Sequence, residues 1–209
     1  NVDATPASYT WTVNVVATCP SSPVLDNFNR ANGSLGSNWL GLTDSGHYRI
    51  VSQRVDVRDG GALYWKAGNP FGVSQEAFVT LTTVDPKGRE QDLLLKVQGG
   101  NSPSWTKGAI EVLYDAKAGA VRVETYRPKQ RRWSIYANIP AKFQNGDRLG
   151  ARVLANGEVW IYRNCELVGK VNLNTADQNF FNNKGGRIGL WFIDASKAYF
   201  DDFGGGNAP

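Results

Sequence analysis

Thirteen short stretches carry alternating apolar and polar side chains, or are rich in β-branched and aromatic residues: 48–51, 54–57, 62–65, 76–83, 92–98, 109–114, 120–126, 133–139, 148–154, 158–162, 167–173, 187–193 and 197–203. A period of two sends successive side chains to opposite faces, so each stretch predicts a strand with one face toward a core. Turn chemistry separates them: Asp59-Gly60-Gly61, Asn145-Gly146-Asp147, Asn156-Gly157 and Lys184-Gly185-Gly186. Glycine and asparagine accept the positive φ that tight turns need. Asn156-Gly157 between two alternating runs is the strongest hairpin signal. No long helical period interrupts the series. The pattern predicts an all-β, two-sheet antiparallel sandwich of jelly-roll type.

The ends read differently. Thr10-Trp11-Thr12-Val13-Asn14-Val15 alternates as one isolated strand, which cannot bury its apolar face alone. It resembles the last strand of the immunoglobulin-like repeats of large bacterial surface proteins. Residues 1–23 are therefore expected to be a strand remnant of a preceding domain plus a Pro/Ser-rich linker. Residues 24–204 are the sandwich, and 205–209 the start of a C-terminal linker.

Composition narrows the chemistry. The 209 residues are 41% hydrophobic and 20% charged, enough for a sizeable core. No apolar run is long enough to predict a membrane span. The net charge of +4 suits an acidic polymer without demanding one. With one histidine, His47, and two cysteines, a zinc site built from His and Cys is excluded. Cys165 stands at a hairpin tip, after Asn164, where glycine is expected. A cysteine there points to selection for its sulfur. Cys19 and Cys165 are read as a disulfide pinning the entry segment to a hairpin, which implies an oxidising compartment and export.

Several motifs carry a family resemblance. The opening Leu25-Asp26-Asn27-Phe28-Asn29-Arg30-Ala31-Asn32-Gly33 is followed by Leu35-Gly36-Ser37-Asn38-Trp39. The ending is Gly189-Leu190-Trp191-Phe192 and Ala198-Tyr199-Phe200-Asp201-Asp202-Phe203. With the hairpin at 157–164, these resemble the concanavalin A-like, laminin-G-like jelly-roll domains of secreted bacterial proteins. The resemblance implies extracellular carbohydrate recognition and often a structural calcium. Asp26, Asp201 and Asp202 are the candidate calcium ligands, with Asn29 and Asp44 as further oxygen donors, because calcium takes six to eight oxygens. The competing reading of these carboxylates is turn capping.

Candidate binding residues come from the strand faces. Arg122, Glu124 and Tyr126 oppose Val121, Val123 and Thr125. Trp160 and Tyr162 oppose Val159 and Ile161. Leu94, Lys96 and Gln98 oppose Leu93, Leu95 and Val97. Aromatic rings pack on the C–H faces of sugars while charged and amide groups bond the hydroxyls, so Trp160, Tyr162, Tyr126, Arg122, Glu124 and Gln98 are the sheet-face candidates. Trp105 and Trp133 lie in polar loops and are rim candidates. Trp39 and Trp191 are read as structural. The basic stretch Arg127, Lys129, Arg131 and Arg132 is read as a solvated hairpin tip, which disfavours a nucleic-acid partner.

Catalysis finds little support. No Glu-x-Asp-x-x-Glu run of the laminarinase-like kind is present. His47 sits in a turn, where nothing supports a triad. A Glu111/Glu124 pair on neighbouring strands is the one carboxyl arrangement left open for a retaining hydrolase. The expectation is a non-catalytic, lectin-like module of a larger secreted or cell-surface protein. It would bind polysaccharide or oligosaccharide beside other domains of the same polypeptide. The alternatives are an adhesive spacer without glycan affinity and a divergent glycoside hydrolase or lyase.

Overall fold

The computed structural model describes residues 19–130 and 132–209. The strand expected at 10–15, and the preceding-domain remnant it would belong to, lie outside them. Fifteen strands follow one another: β1 (Val24–Asp26), β2 (Trp39–Gly41), β3 (Tyr48–Val51), β4 (Arg54–Val57), β5 (Gly61–Trp65), β6 (Gln75–Thr83), β7 (Glu90–Val97), β8 (Ala109–Asp115), β9 (Ala120–Tyr126), β10 (Ser134–Pro140), β11 (Asp147–Val153), β12 (Glu158–Arg163), β13 (Glu166–Asn172), β14 (Arg187–Ile193) and β15 (Tyr199–Asn207). A 3-10 turn spans Trp105–Lys107, and one helix, α1, spans Thr175–Phe181.

The strands form two antiparallel sheets. One has the order β13-β12-β11-β6-β15-β4-β3, with β1 also paired to β15; the other runs β10-β9-β8-β7-β14-β5-β2. All thirteen stretches picked out by periodicity are strands. The two short ones, β1 and β2, were too brief to show a period. Between the sheets lies one core, built from the predicted inward set: Val121 and Val123, Val159 and Ile161, Leu93 and Leu95, Ile110 and Val112. Aromatic residues extend it, with Phe28, Trp39, Trp65, Phe200 and Phe203 meeting edge-on or tilted. Burying each such side chain contributes about 1.5–3 kcal/mol.

Three local results depart from the simple pattern. Helix α1 exists because Asn174 caps it, its side chain accepting the Asp177 N–H at 2.9 Å. The glycine run expected to begin a linker is strand instead: Gly204, Gly205 and Gly206 pair with Phe78, Ala77 and Glu76. A Cβ on Gly204 would fall 2.1 Å from the Phe78 ring, so only glycine lets the ring lie across β15. In β7, Lys96 takes φ 48° beside a register shift. This bulge breaks the alternation. Lys96 turns inward to the Phe181 carbonyl, and Val97 joins the outer face, the reverse of the expected assignment.

The entry segment is docked on the sandwich, as the cysteine pairing predicts. Cys19 is disulfide-bonded to Cys165, with the Cα atoms 4.5 Å apart. Asn164 and Cys165 adopt φ 49° and 71°, the two positive values the tight turn requires. Pro20 lies against Gly150, and its carbonyl accepts from Arg148. The backbone N–H groups of Ser21 and Ser22 each donate to Glu76 at 2.7 Å. Glu76 and Arg152 are buried on the outer face of the eight-stranded sheet, so the chain's own entry segment covers part of that face.

Candidate functional site

Among the described residues, no such entry segment closes the outer face of the seven-stranded sheet. Cross-strand register aligns one file of outward side chains over all seven strands: Leu40, Tyr64, Gly189, Leu94, Glu111, Glu124 and Ile135. A neighbouring file runs Ala62, Trp191, Asp92, with Leu113 opposite Arg122 further along. One half of the face is aromatic and the other half is charged.

The aromatic half is a group of four half-buried rings. Trp105, on the 3-10 turn, stacks on Trp133 at 5.7 Å and meets Trp191 at 5.2 Å. Tyr126 stands edge-on to Trp105 at 5.1 Å and 5.5 Å from Trp133. The rings rest on a small apolar floor of Ala62, Tyr64, Leu94, Val97 and Ala109. The 3-10 turn is fixed by Ser104, whose hydroxyl accepts from Thr106 N–H, and by the Tyr64 hydroxyl, which bonds the Trp105 N–H at 3.2 Å. The segment carrying Trp133 is tied down by Asp177, which accepts from Thr125, Arg127 and Tyr136. Beside Trp133 a shallow basin of about 690 Å³ is lined by Arg127, Gln130, Arg132, Ser134, Ile135 and Asn174.

The charged half holds Glu90 and Asp92 from β7, Glu111 from β8, and Arg122 and Glu124 from β9. Arg122 Nε lies 3.3 Å from Glu124. Oxygens of Glu90, Asp92 and Glu111 lie within 4.8 Å of one another. Burial first, and then the neighbouring Glu90 charge, pushes Glu111 up to about 8. Burial and the charges of Glu111 and Glu90 push Asp92 well above the usual carboxylate range. Burial also raises Glu90 and Glu124, with Arg122 opposing it in both.

Of the sequence-predicted residues, Tyr126, Arg122, Glu124, Trp105 and Trp133 come together on this face. Glu111 and Glu124 are direct cross-strand neighbours. Trp160 and Tyr162 do not join them. They belong to β12, in the other sheet, and point to the opposite side of the sandwich. Tyr162 is 1% exposed and offers no platform, while Lys170 lies over the Trp160 ring at 3.9 Å. Gln98 is committed to the fold, its amide donating to the Lys96 and Gly185 carbonyls. Arg127 is paired with Asp177, and Arg131 lies outside the described residues. Trp191, read as structural, is instead a member of the aromatic group. Trp39 is structural as expected, its indole N–H bonding Asp26 at 2.8 Å. Glu90 and Asp92 escaped notice because their partners come from other strands.

Of the expected calcium ligands, Asp26 is committed to the fold, while Asp201, raised first by burial, lies close enough to Asp202 and Asp26 for their charges to raise its carboxyl further. Asp26 holds the Arg30 guanidinium through both oxygens, and also accepts from the Phe28 N–H and the Trp39 indole. Asp201 Oδ1 accepts the Asp202 N–H. Asp44 is bound to His47 in its turn, at 2.7 Å. Asp26 thus caps and braces the start of the sandwich, and no free oxygen of its own remains for a cation.

No family model and no curated protein matches the chain. Solved structures match its fold. The carbohydrate-binding module CBM66 from Bacillus subtilis aligns at 15% identity and TM-score 0.57, covering 82% of this chain and 96% of that one. The carbohydrate recognition domain of Emp47p aligns at 12% identity and TM-score 0.57, covering 92% and 98%. A structure described with endo-acting O-glycanases that human gut microbiota express to initiate mucin breakdown aligns at 12% and 0.58, covering 89% and 100%. The fold is therefore the concanavalin A-like jelly-roll sandwich shared by carbohydrate-binding modules and lectin domains. Likeness at these identities speaks for the fold alone.

Proposed function

We propose that this chain is a non-catalytic carbohydrate-binding module of a larger secreted or cell-surface protein, holding polysaccharide on the outer face of its seven-stranded sheet. The observation that carries this reading is the group of four half-buried rings, Trp105, Tyr126, Trp133 and Trp191, beside the charged row headed by Arg122 and Glu124. Rings of this kind supply the apolar platform for pyranose faces, and the charged row supplies in-plane donors and acceptors. The basin beside Trp133 extends the platform toward a second sugar unit. The disulfide suits an oxidising compartment. Among the described residues no helix is long and apolar enough to cross a membrane.

A hydrolytic reading draws on the closeness of Glu90, Asp92 and Glu111, since retaining glycosidases use carboxyls about 5 Å apart. Asp92 and Glu111 are 0% and 3% exposed, so neither reaches a sugar on the surface. The binding reading is the better one.

Calorimetry and tryptophan fluorescence against a panel of neutral and acidic soluble polysaccharides test it. The expected result is saturable binding to one class, weakened at least about ten-fold by Trp133→Ala and unchanged by Trp160→Ala. Binding lost with Trp160→Ala and kept with Trp133→Ala would move the site to the other sheet. A folded protein that binds nothing would make it a spacer.

A further inference from the structure

Most buried carboxylates in this protein have donors. Glu76 accepts from Ser21, Ser22 and Arg152, Asp177 from Thr125, Arg127, Tyr136 and Asn174, and Asp26 from Phe28, Arg30 and Trp39. Asp85 accepts the N–H groups of Lys87 and Lys197, and Asp56 faces Arg49 and Arg58. Asp92 and Glu111 break this rule. Asp92 Oδ1 accepts the Tyr114 N–H, but Asp92 Oδ2 and Glu111 Oε1 are buried with no donor from the rest of the protein; their only hydrogen-bond partner is the other carboxyl, through a shared proton. Two buried carboxyls that have only each other are costly.

The surroundings do not supply the missing positive charge. Glu90, Asp92, Glu111 and Glu124 converge from β7, β8 and β9, while Arg122 is drawn to Glu124. Arg89 and Asp194 act on Glu90 with opposite signs. Four carboxyl groups therefore share this half of the sheet with Arg122, drawn to Glu124, and with Arg89, whose effect on Glu90 Asp194 opposes.

We propose that Glu90, Asp92 and Glu111 form a binding site for a hard divalent cation of the calcium type, set into the outer face of the seven-stranded sheet. Oxygens that all lie within 4.8 Å of one another can reach a single ion at about 2.4 Å. The donor set is oxygen alone, which selects calcium, magnesium or manganese over zinc or copper. The two buried oxygens, which no donor from the rest of the protein reaches, point to an ion because a cation satisfies both at once and displaces the proton they otherwise share. Glu90 is partly exposed and gives the ion its way in. The site lies on a different sheet from Asp201 and Asp202 and uses none of the residues first expected to hold calcium.

The test uses the whole chain, without any glycan, at pH 8. Calcium calorimetry is paired with terbium luminescence excited through tryptophan, since Trp191 stands directly opposite Asp92. One saturable equivalent is expected, with calcium displacing terbium and raising the melting temperature. Asp92→Asn and Glu111→Gln should each weaken binding at least ten-fold and remove the calcium-dependent rise in melting temperature. Asp202→Asn should leave both unchanged. Glu90→Gln, at the exposed ligand, gives a second reading should either buried variant fail to fold. Absence of saturable binding to folded protein at 10 mM calcium would overturn the proposal. So would binding that survives Asp92→Asn, Glu111→Gln and Glu90→Gln, or that is lost in Asp202→Asn.

Discussion

Glu76 and Arg152 face each other across β6 and β11 as a buried pair, Glu76 Oε2 lying 2.6 Å from Nη2 and 3.0 Å from Nε of the guanidinium. The other Glu76 oxygen takes Ser21 and Ser22, so one side chain joins the sheet to the entry segment. Burial works against the Glu76 charge, and the bonds from Ser22, Arg152 and Ser21 outweigh it, holding the carboxyl below its usual range. Breaking such a pair from one side leaves an uncompensated buried group. Glu76→Ala and Arg152→Ala should each cost about 3–5 kcal/mol in urea unfolding, and the double variant less than their sum.

The Cys19–Cys165 bond closes a long loop, with a sequence separation of 146. In the chain-entropy account a loop of this size stabilises by up to about 5 kcal/mol. The Cys19→Ser/Cys165→Ser variant should melt well below the oxidised protein and match the wild type under reducing conditions. Equal melting temperatures for the oxidised wild type and the variant would show that Glu76 alone anchors the segment.

Lys96 should make the protein more stable as pH rises. Its amine is buried with the Phe181 carbonyl as its partner at 3.4 Å, and burial lowers it from 10.5 to about 8. Between those values the unfolded chain binds more protons than the folded one, so stability climbs from about pH 8 toward pH 10.5. Below pH 8 the penalty is fully present. Lys96→Met removes it, gaining up to about 3 kcal/mol at pH 7. The difference between variant and wild type should narrow from pH 8 to 9.5 in denaturant titrations. A constant difference would place the charge elsewhere.

Asp177 couples stability to the aromatic platform. Burial raises its carboxyl, but bonds from Thr125, Tyr136 and Arg127 prevail and keep it low. Its stabilisation is therefore complete above the unfolded carboxyl value, near pH 4, and is lost as pH falls through the lower folded value. Asp177→Ala should cost about 3–5 kcal/mol at pH 7, a gap that shrinks in acid. The same variant frees Arg127 and Tyr136, which bracket Trp133. Glycan affinity should fall with it even at temperatures where the protein stays folded.

The fold was readable because its sheets obey simple alternation: Val121 and Val123 inside, Arg122 and Glu124 outside, repeated strand after strand. What broke the reading was local. Lys96 reversed its strand through one positive φ, and Gly204 to Gly206 looked like linker because the reason for glycine was Phe78, far away in sequence. The site was half readable for a related reason. Tyr126, Arg122 and Glu124 share one strand and could be grouped from sequence, whereas strand order alone separates them from Trp160 and unites them with Trp191, Glu90 and Asp92. Which sheet a strand joins is decided by non-local pairing, and periodicity carries no trace of it.

Cys19 to Ser22 lie on the back of the eight-stranded sheet, held there through Cys165, Arg148 and Glu76. The aromatic platform looks out from the other side of the sandwich. A polymer lying across Trp105 and Trp133 would therefore have the full thickness of the sandwich between itself and that docked segment. The two faces do not compete for room, so on the proposed reading a broad, flat polysaccharide surface could meet the platform with the docked segment clear of it.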